Sequence, residues 1–559
     1  MNVMGSVPHT HTCIGEDAAM DDGDFLNEMI EGNSKCDKEN YAVGVDGSVS
    51  EVMSSSGASK RVLEENGENH SARKRLDANS KKTNVDSKKR RFHDEVILYT
   101  LEYNDGNILN FNFGLTFGVT SSHTKLYESA ESSPLIHVAN SQEIRWMTSV
   151  LFTSAAISSL IFGPVSYKIG PKSVLLLCGL LQMGSWFCVH FAFDILHIIS
   201  SRIFAGIAGG AAFTVLPLYI SEICETSSGK ASLNVSMEIC RAGGILIGFI
   251  LGSYVKYDYV AVVGIIISFF FSMVFPFVQE SPYYFLRKGN MAAMEKSLRW
   301  FRGIRSIDDR NNPEFDLELE NIKKSLHEKA QSMETGPTTS QLAKVVFGDL
   351  VLAIGSQLAG IYTILCYGPL LWNFTTTLRL TSEKLLLVIA AVYLFGTLVA
   401  QAFCRCANRR MLLVATSLIS ALCLLLGAAY LLYGERWDID DDIEAWIMPI
   451  IMIVHTLFAS IGFVTYSTTV FMENIPKKTQ FKLLGLLHFV SWTAVFVIIH
   501  YYVLIVRNLS MTGLLVSCAI SCFAVTIGSL FFYDRMQPVK EVEVGGHPIA
   551  NGHYANMHI

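Results

Sequence analysis

The chain has 559 residues, half of them hydrophobic and only 17% charged, with a formal net charge of −6. Soluble domains carry roughly a quarter charged residues, so this composition argues against a soluble enzyme, a fibrous protein and a nucleic-acid-binding domain. The net charge is too small to imply a polyanionic partner. Of twelve Cys, ten lie in or beside apolar segments, so no disulfide framework is expected. Cys404 and Cys406 form a lone pair without further ligands, so neither a metal nor a cofactor is expected.

Residues 1–95 read as a disordered cytoplasmic tail without a signal peptide, rich in Gly, Ser, Asn, Asp and Glu. The tail changes sign: 11 acids and 2 bases in 1–59 give way to 5 acids and 11 bases in 60–93. The basic runs 73–75 and 88–91 could be nuclear signals, but a basic segment before a first apolar run more simply marks the cytoplasmic side of a membrane. Twelve apolar segments follow, near 96–120, 146–167, 173–194, 197–221, 232–255, 258–278, 346–372, 384–404, 411–433, 445–472, 483–506 and 511–533. Most reach the roughly 20 residues a helix needs to cross a bilayer. Backbone polar groups in lipid must pair within the segment, which makes these segments helices.

The expected fold is therefore an all-α membrane protein of twelve spans in two six-helix halves, 96–278 and 346–533. A polar cytoplasmic loop, 279–345, separates them, with surface helices near 291–302 and 314–332, and a cytoplasmic tail occupies 534–559. Basic residues favour an inside N-terminus, with the tail and central loop deciding it. The sequons at Asn373 and Asn508 then fall on outer loops, as glycosylation requires.

Several motifs resemble those of one family. Span four reads Arg202-Ile-Phe-Ala-Gly206 and Leu216-Pro-Leu-Tyr-Ile-Ser-Glu222. Span six ends in Gln279-Glu-Ser-Pro-Tyr-Tyr-Phe-Leu-Arg-Lys-Gly289, and the central loop contains Lys296-Ser-Leu-Arg-Trp-Phe-Arg-Gly303. Span seven reads Ser356-Gln-Leu-Ala-Gly-Ile-Tyr362. In order and on the right spans, these resemble the sugar porters of the major facilitator superfamily, and among them the insect facilitated trehalose and glucose transporters.

That resemblance implies a plasma-membrane facilitator for a hexose or trehalose, working by alternating access as a monomer. Its partners would be a small sugar and the lipid bilayer. The resemblance puts Gln357 and Trp492 at sugar-binding positions, Tyr466 at a gating position, and Tyr362 and Ser491 where the family has Asn. It gives Arg202, Glu222, Glu280, Arg409, Arg410 and Glu473 the role of latches at inner helix ends. The pattern also departs from the family: Tyr167 stands for an Asp, Pro171 for a basic residue and Ser356 for a Gln. Proton-coupled members carry an Asp in span one where this chain has Val119 and Thr120 after Gly118, which favours facilitated diffusion. Glu238 and Arg241 lie three residues apart in span five and can pair on one helical face. The degenerate motifs and the long tail keep a non-transporting sensor, or a carrier of another polar solute, open as alternatives.

Overall fold

A computed structural model describes residues 106–129, 133–224, 227–304, 315–322, 339–371, 382–404, 408–436, 441–477 and 479–533. The predicted tails and Asn373 lie outside these residues. The described chain divides into two units; the helix 315–322 belongs to one, and the bundle discussed below forms the other.

Among the described residues every regular element is helical, and eleven helices are long and apolar enough to cross a membrane. In the first half these are span two (Ser141–Ile169), three (Pro171–His190), four (Ile195–Ile223), five (Ser227–Tyr254) and six (Tyr257–Val274). In the second half, span seven comprises Thr339–Leu358 and Ile361–Leu371, and spans eight and nine are Ser382–Phe403 and Arg409–Tyr433. Span ten comprises Asp441–Ile461 and Phe463–Asn474, and spans eleven and twelve are Gln480–His500 and Tyr502–Phe531. The helix 106–128 is span one, which brings the total to twelve.

Span one is polar because its amides serve packing. Asn112 donates to Ser268 Oγ at 2.6 Å and accepts from the Trp186 indole at 2.7 Å, while Gln182 donates to Thr116 Oγ1 at 3.0 Å. In lipid, helices gain little from burying apolar surface against each other, so small residues and polar contacts carry association. Gly114 and Gly118 face Gly244 and Gly248 of span five. A Cβ at Gly114 would lie 2.1 Å from the Arg241 carbonyl oxygen, so only glycine permits this crossing. Large apolar side chains such as Phe269, Phe270, Leu422 and Phe531 point outward, as a lipid-facing surface requires.

Helix ends follow local chemistry. Asn140 and Glu143 form a reciprocal capping box at span two, and Asp194 caps span four. Three interruptions depart from the continuous helices expected. Span seven breaks at Gly360, where φ is 96°, and span ten breaks at Gly462. The expected outer loop around Arg507 and Asn508 is instead helix, kinked at Ser510 with φ 63°. Between the halves, the surface helices Pro282–Arg287 and Met291–Phe301 follow, the second burying Met294, Leu298 and Phe301. Span two packs along span eleven, and span five along span eight, so these pairs form the seam between halves.

Candidate functional site

The centre of the seam holds a buried ion pair. Arg241 donates from Nε to Glu238 Oε2 at 2.9 Å, and from Nη2 to the same oxygen. Nη2 also donates to the Tyr393 hydroxyl of span eight at 2.6 Å, and Nη1 to the Tyr362 hydroxyl of span seven. The guanidinium carbon lies 5.4, 5.2 and 5.8 Å from the rings of Phe213, Tyr362 and Tyr393. Glu238 and Arg241 are 4% and 2% exposed, so each charge depends on the other and on these phenols. A cation and an anion rooted in the first half thus engage two tyrosines of the second.

Beside this pair lies an aromatic cluster. The Trp492 ring sits 5.5 Å from Phe113, 6.0 Å from Phe152, 5.4 Å from Phe213 and 6.3 Å from Tyr362. Spans one, two, four, seven and eleven each contribute a ring. Two expected sugar-binding residues each keep a buried polar atom without a partner: Trp492 Nε1, a donor, and Gln357 Oε1, an acceptor. Gln357 Nε2 donates to Ser356 Oγ at 3.2 Å. Leaving a buried polar atom unpaired costs about 1–3 kcal/mol, so each of these two atoms would gain from a hydrogen-bonding partner.

The expected site residues Ser491 and Tyr466, and their neighbours Thr465 and His488, are held locally. The Ser491 hydroxyl donates to the Leu487 carbonyl at 2.9 Å, and Thr465 to that of Ser460 at 2.6 Å. Tyr466 donates to the Ala400 carbonyl of span eight, and its ring is not brought to Trp492 among the described contacts. His488 joins spans four, ten and eleven, its Nδ1 3.2 Å from Thr214 Oγ1 and its Nε2 3.4 Å from Thr468 Oγ1.

At one end of the bundle, Glu222 accepts from Arg287. The Arg287 guanidinium lies 4.8 Å from the Tyr167 ring of span two and 5.0 Å from the Phe481 ring of span eleven, and the two rings meet edge to face at 5.2 Å. Glu280 accepts at Oε1 from the Lys172 and Ser281 backbone N–H groups, each at 3.1 Å. Burial pushes its carboxyl above the usual range, and the nearby Glu222 charge adds to this, against those two hydrogen bonds. In the second half Arg409 pairs with Glu473, and Arg410 donates to the Leu530 carbonyl.

Arg202 does not join these residues. It lies in the second turn of span four, twenty residues before Glu222, or about 30 Å along a helix. It is buried near Tyr127 and Tyr257 at the opposite end, its Nη1 donating to Ser201 Oγ at 3.1 Å. The expectation of a latch at the Glu222 end fails for this residue because one continuous helix holds the two at opposite ends. At that opposite end Ser121 donates to the Leu365 carbonyl at 2.8 Å, and Ser149 Oγ lies 2.9 Å from His500 Nδ1. The halves therefore touch at both ends and at the centre.

The family model for "Sugar (and other) transporter" matches residues 107–536. The chain belongs to this family. It is 22% identical over 432 residues to a facilitated trehalose transporter of Bombyx mori, covering 75% of this chain and 83% of that protein. A homologous transporter of Apis mellifera ligustica is 24% identical, with 71% and 78% covered. Among solved structures, the major facilitator proton:xylose symporter XylE bound to 6-bromo-6-deoxy-D-glucose matches with a TM-score of 0.63 and 15% identity. That match covers 79% of this chain and 96% of the other and shows the twelve-helix fold.

Within the sugar transporter family, the site residues that sequence reasoning missed are mainly aromatic. Phe113, Phe152, Phe213 and Tyr393 sit in apolar runs where a ring reads as ordinary packing. Only Tyr393, a phenol inside a span otherwise dominated by Leu, Val and Ala, carries a signal. Arg287 was visible within the motif after span six, but its cation–π partners are not, since Tyr167 and Phe481 lie 314 residues apart (481 − 167).

Proposed function

We propose that the chain carries a small neutral sugar, a hexose or trehalose, across the plasma membrane by facilitated diffusion. The observation that supports this is the unpaired donor on Trp492 beside aromatic faces, together with the unpaired acceptor on Gln357. A sugar offers hydroxyls that accept and donate, and C–H faces that stack on rings. Gln357, Trp492 and the Tyr362 ring would hold it, with Ser491 and Tyr466 shaping the walls. Glu222, Glu280, Arg409, Arg410 and Glu473 would form the inner latches, released as the halves rock. Both termini would be cytoplasmic, and Asn508, which is exposed, would carry a glycan.

The test is saturable uptake of labelled glucose and trehalose in cells expressing the chain, with Gln357→Ala and Trp492→Phe matched for surface level. Each variant should lower uptake at least fivefold, through loss of a hydrogen bond to the solute. Absence of uptake by a surface-expressed wild-type chain would overturn the reading. One observation favours a second reading: Arg241 bridges both halves while fully buried. A receptor held in one conformation by that bridge would bind sugar without moving it, giving binding to purified protein with no flux.

A further inference from the structure

At the end of the bundle opposite Glu222, span four buries the cation of Arg202 at 0% exposure. Its guanidinium makes one hydrogen bond, from Nη1 to the neutral hydroxyl of Ser201 at 3.1 Å. Nε and Nη2 are buried without a partner, and no carboxylate reaches them among the described residues. Arg241, Arg287 and Arg409, by contrast, each meet a carboxylate, those of Glu238, Glu222 and Glu473. An arginine cannot shed its proton, so a buried one needs a counter-charge.

The surroundings supply donors under an apolar cover. Arg202 lies beside Tyr127, Tyr257 and His123. The rings of Tyr127 and Tyr257 stand 6.0 and 5.5 Å from that of His123. The Tyr127 hydroxyl and His123 Nδ1 are also buried without partners, whereas the Tyr257 hydroxyl donates to the Val189 carbonyl at 2.8 Å. Leu135, Ile144, Met147, Ile195 and Ile198 pack with Tyr127 in one apolar cluster. The neighbouring acids are turned elsewhere. Asp194 accepts from the Ile195 N–H at 2.7 Å, and Glu128 and Asp258 are exposed.

We propose that Arg202 and Tyr127 bind a small monovalent anion, of the size of chloride, through Nε, Nη2 and the phenol. One uncompensated positive charge calls for one negative charge. The apolar cover offers no donors to the outer oxygens of a sulfate or phosphate, whose burial would then be costly. The inference is independent of the solute carried, because its test reads stability and not flux. Purified full-length protein in detergent should gain melting temperature, with saturation, as sodium chloride replaces sodium gluconate at constant ionic strength. Sodium sulfate should not substitute. Tyr127→Phe keeps the ring and removes one donor, so it should raise the half-saturating chloride concentration about fivefold. Arg202→Met should abolish the dependence; if that variant does not fold, Tyr127→Phe still decides. Equal melting temperatures in chloride and gluconate would overturn the proposal. So would a response that never saturates, one that sulfate reproduces, or one that Tyr127→Phe leaves unchanged.

Discussion

The two halves of the bundle solve the same packing problem differently. In the first, each of the six spans is one uninterrupted helix, and the crossing of spans one and five is closed at four glycines. In the second, spans seven and ten are broken at Gly360 and Gly462, and span twelve is kinked at Ser510. The continuous half carries the buried ion pair of Glu238 and Arg241, while span seven of the other half buries Asp349 against Asn474 and Tyr533. The interrupted half carries Gln357, Trp492 and the tyrosines that meet those charges. The ion pair thus sits on the uninterrupted, more rigid side, and the two tyrosines that meet it sit on the interrupted one.

The largest effect should come from breaking the charge pair. Arg241→Ala leaves Glu238 buried without its cation, which costs about 3–5 kcal/mol. Thermal unfolding in detergent should register a loss of that size. The double variant Glu238→Gln with Arg241→Met should recover much of it. If Arg241→Ala unfolds like the wild type, the first half is not the rigid frame argued above.

Glycine substitutions sharpen the contrast. Gly114→Ala drives a Cβ to 2.1 Å from the Arg241 carbonyl oxygen and should cost about 1–3 kcal/mol, the range for overpacking. In the second half, Gly427→Ala meets its nearest neighbours at 3.4 Å or more and should be close to neutral in the same assay. Equal losses at the two sites would erase the difference in packing tolerance. Gly360→Ala is a third case. Its φ of 96° suits glycine, so alanine should cost about 1–3 kcal/mol in backbone strain. Because the strain falls at the hinge of span seven, the rate of solute uptake should fall by more than surface expression does. Uptake falling only in step with expression would make the break a structural detail.

Much of this architecture was legible in the sequence, for a physical reason. Backbone pairing in lipid demands long apolar helices, so hydropathy alone indicated twelve spans, although span one, expected at 96–120, is helix over 106–128 and span twelve, expected from 511, starts at Tyr502. Their interruptions were not legible. Gly360 and Gly462 look like the other span glycines that serve close helix contacts, and nothing local distinguishes a hinge from a crossing. The pairing of Glu238 with Arg241 followed from spacing, but Tyr362 and Tyr393 as its further partners depend on distant spans. Arg202 was misplaced because the motif that carries it also carries Glu222, and a continuous helix separates the two by the depth of the membrane. At the other end, Tyr167 in place of the family's acid looked like a lost latch. The structure gives it a cation, Arg287, held through its ring face and shared with Phe481.

The smallest effect concerns Glu280, at the end where Arg287 lies against Tyr167 and Phe481. Its carboxyl is raised above the ordinary range chiefly by burial, with Glu222 adding to it. A carboxyl raised in the folded state binds its proton more tightly there than in the unfolded chain. Its contribution to stability is therefore complete below the ordinary carboxylate value and disappears as pH rises through the raised one. Glu280→Gln fixes the neutral form while its amide oxygen can still accept from the Lys172 and Ser281 N–H groups. Across that window the wild type should lose a little melting temperature with rising pH, and Glu280→Gln should lose less. A wild type that instead gains stability through the window would mean that the two backbone donors outweigh burial. Glu280 would then act as an ionised cap on span three.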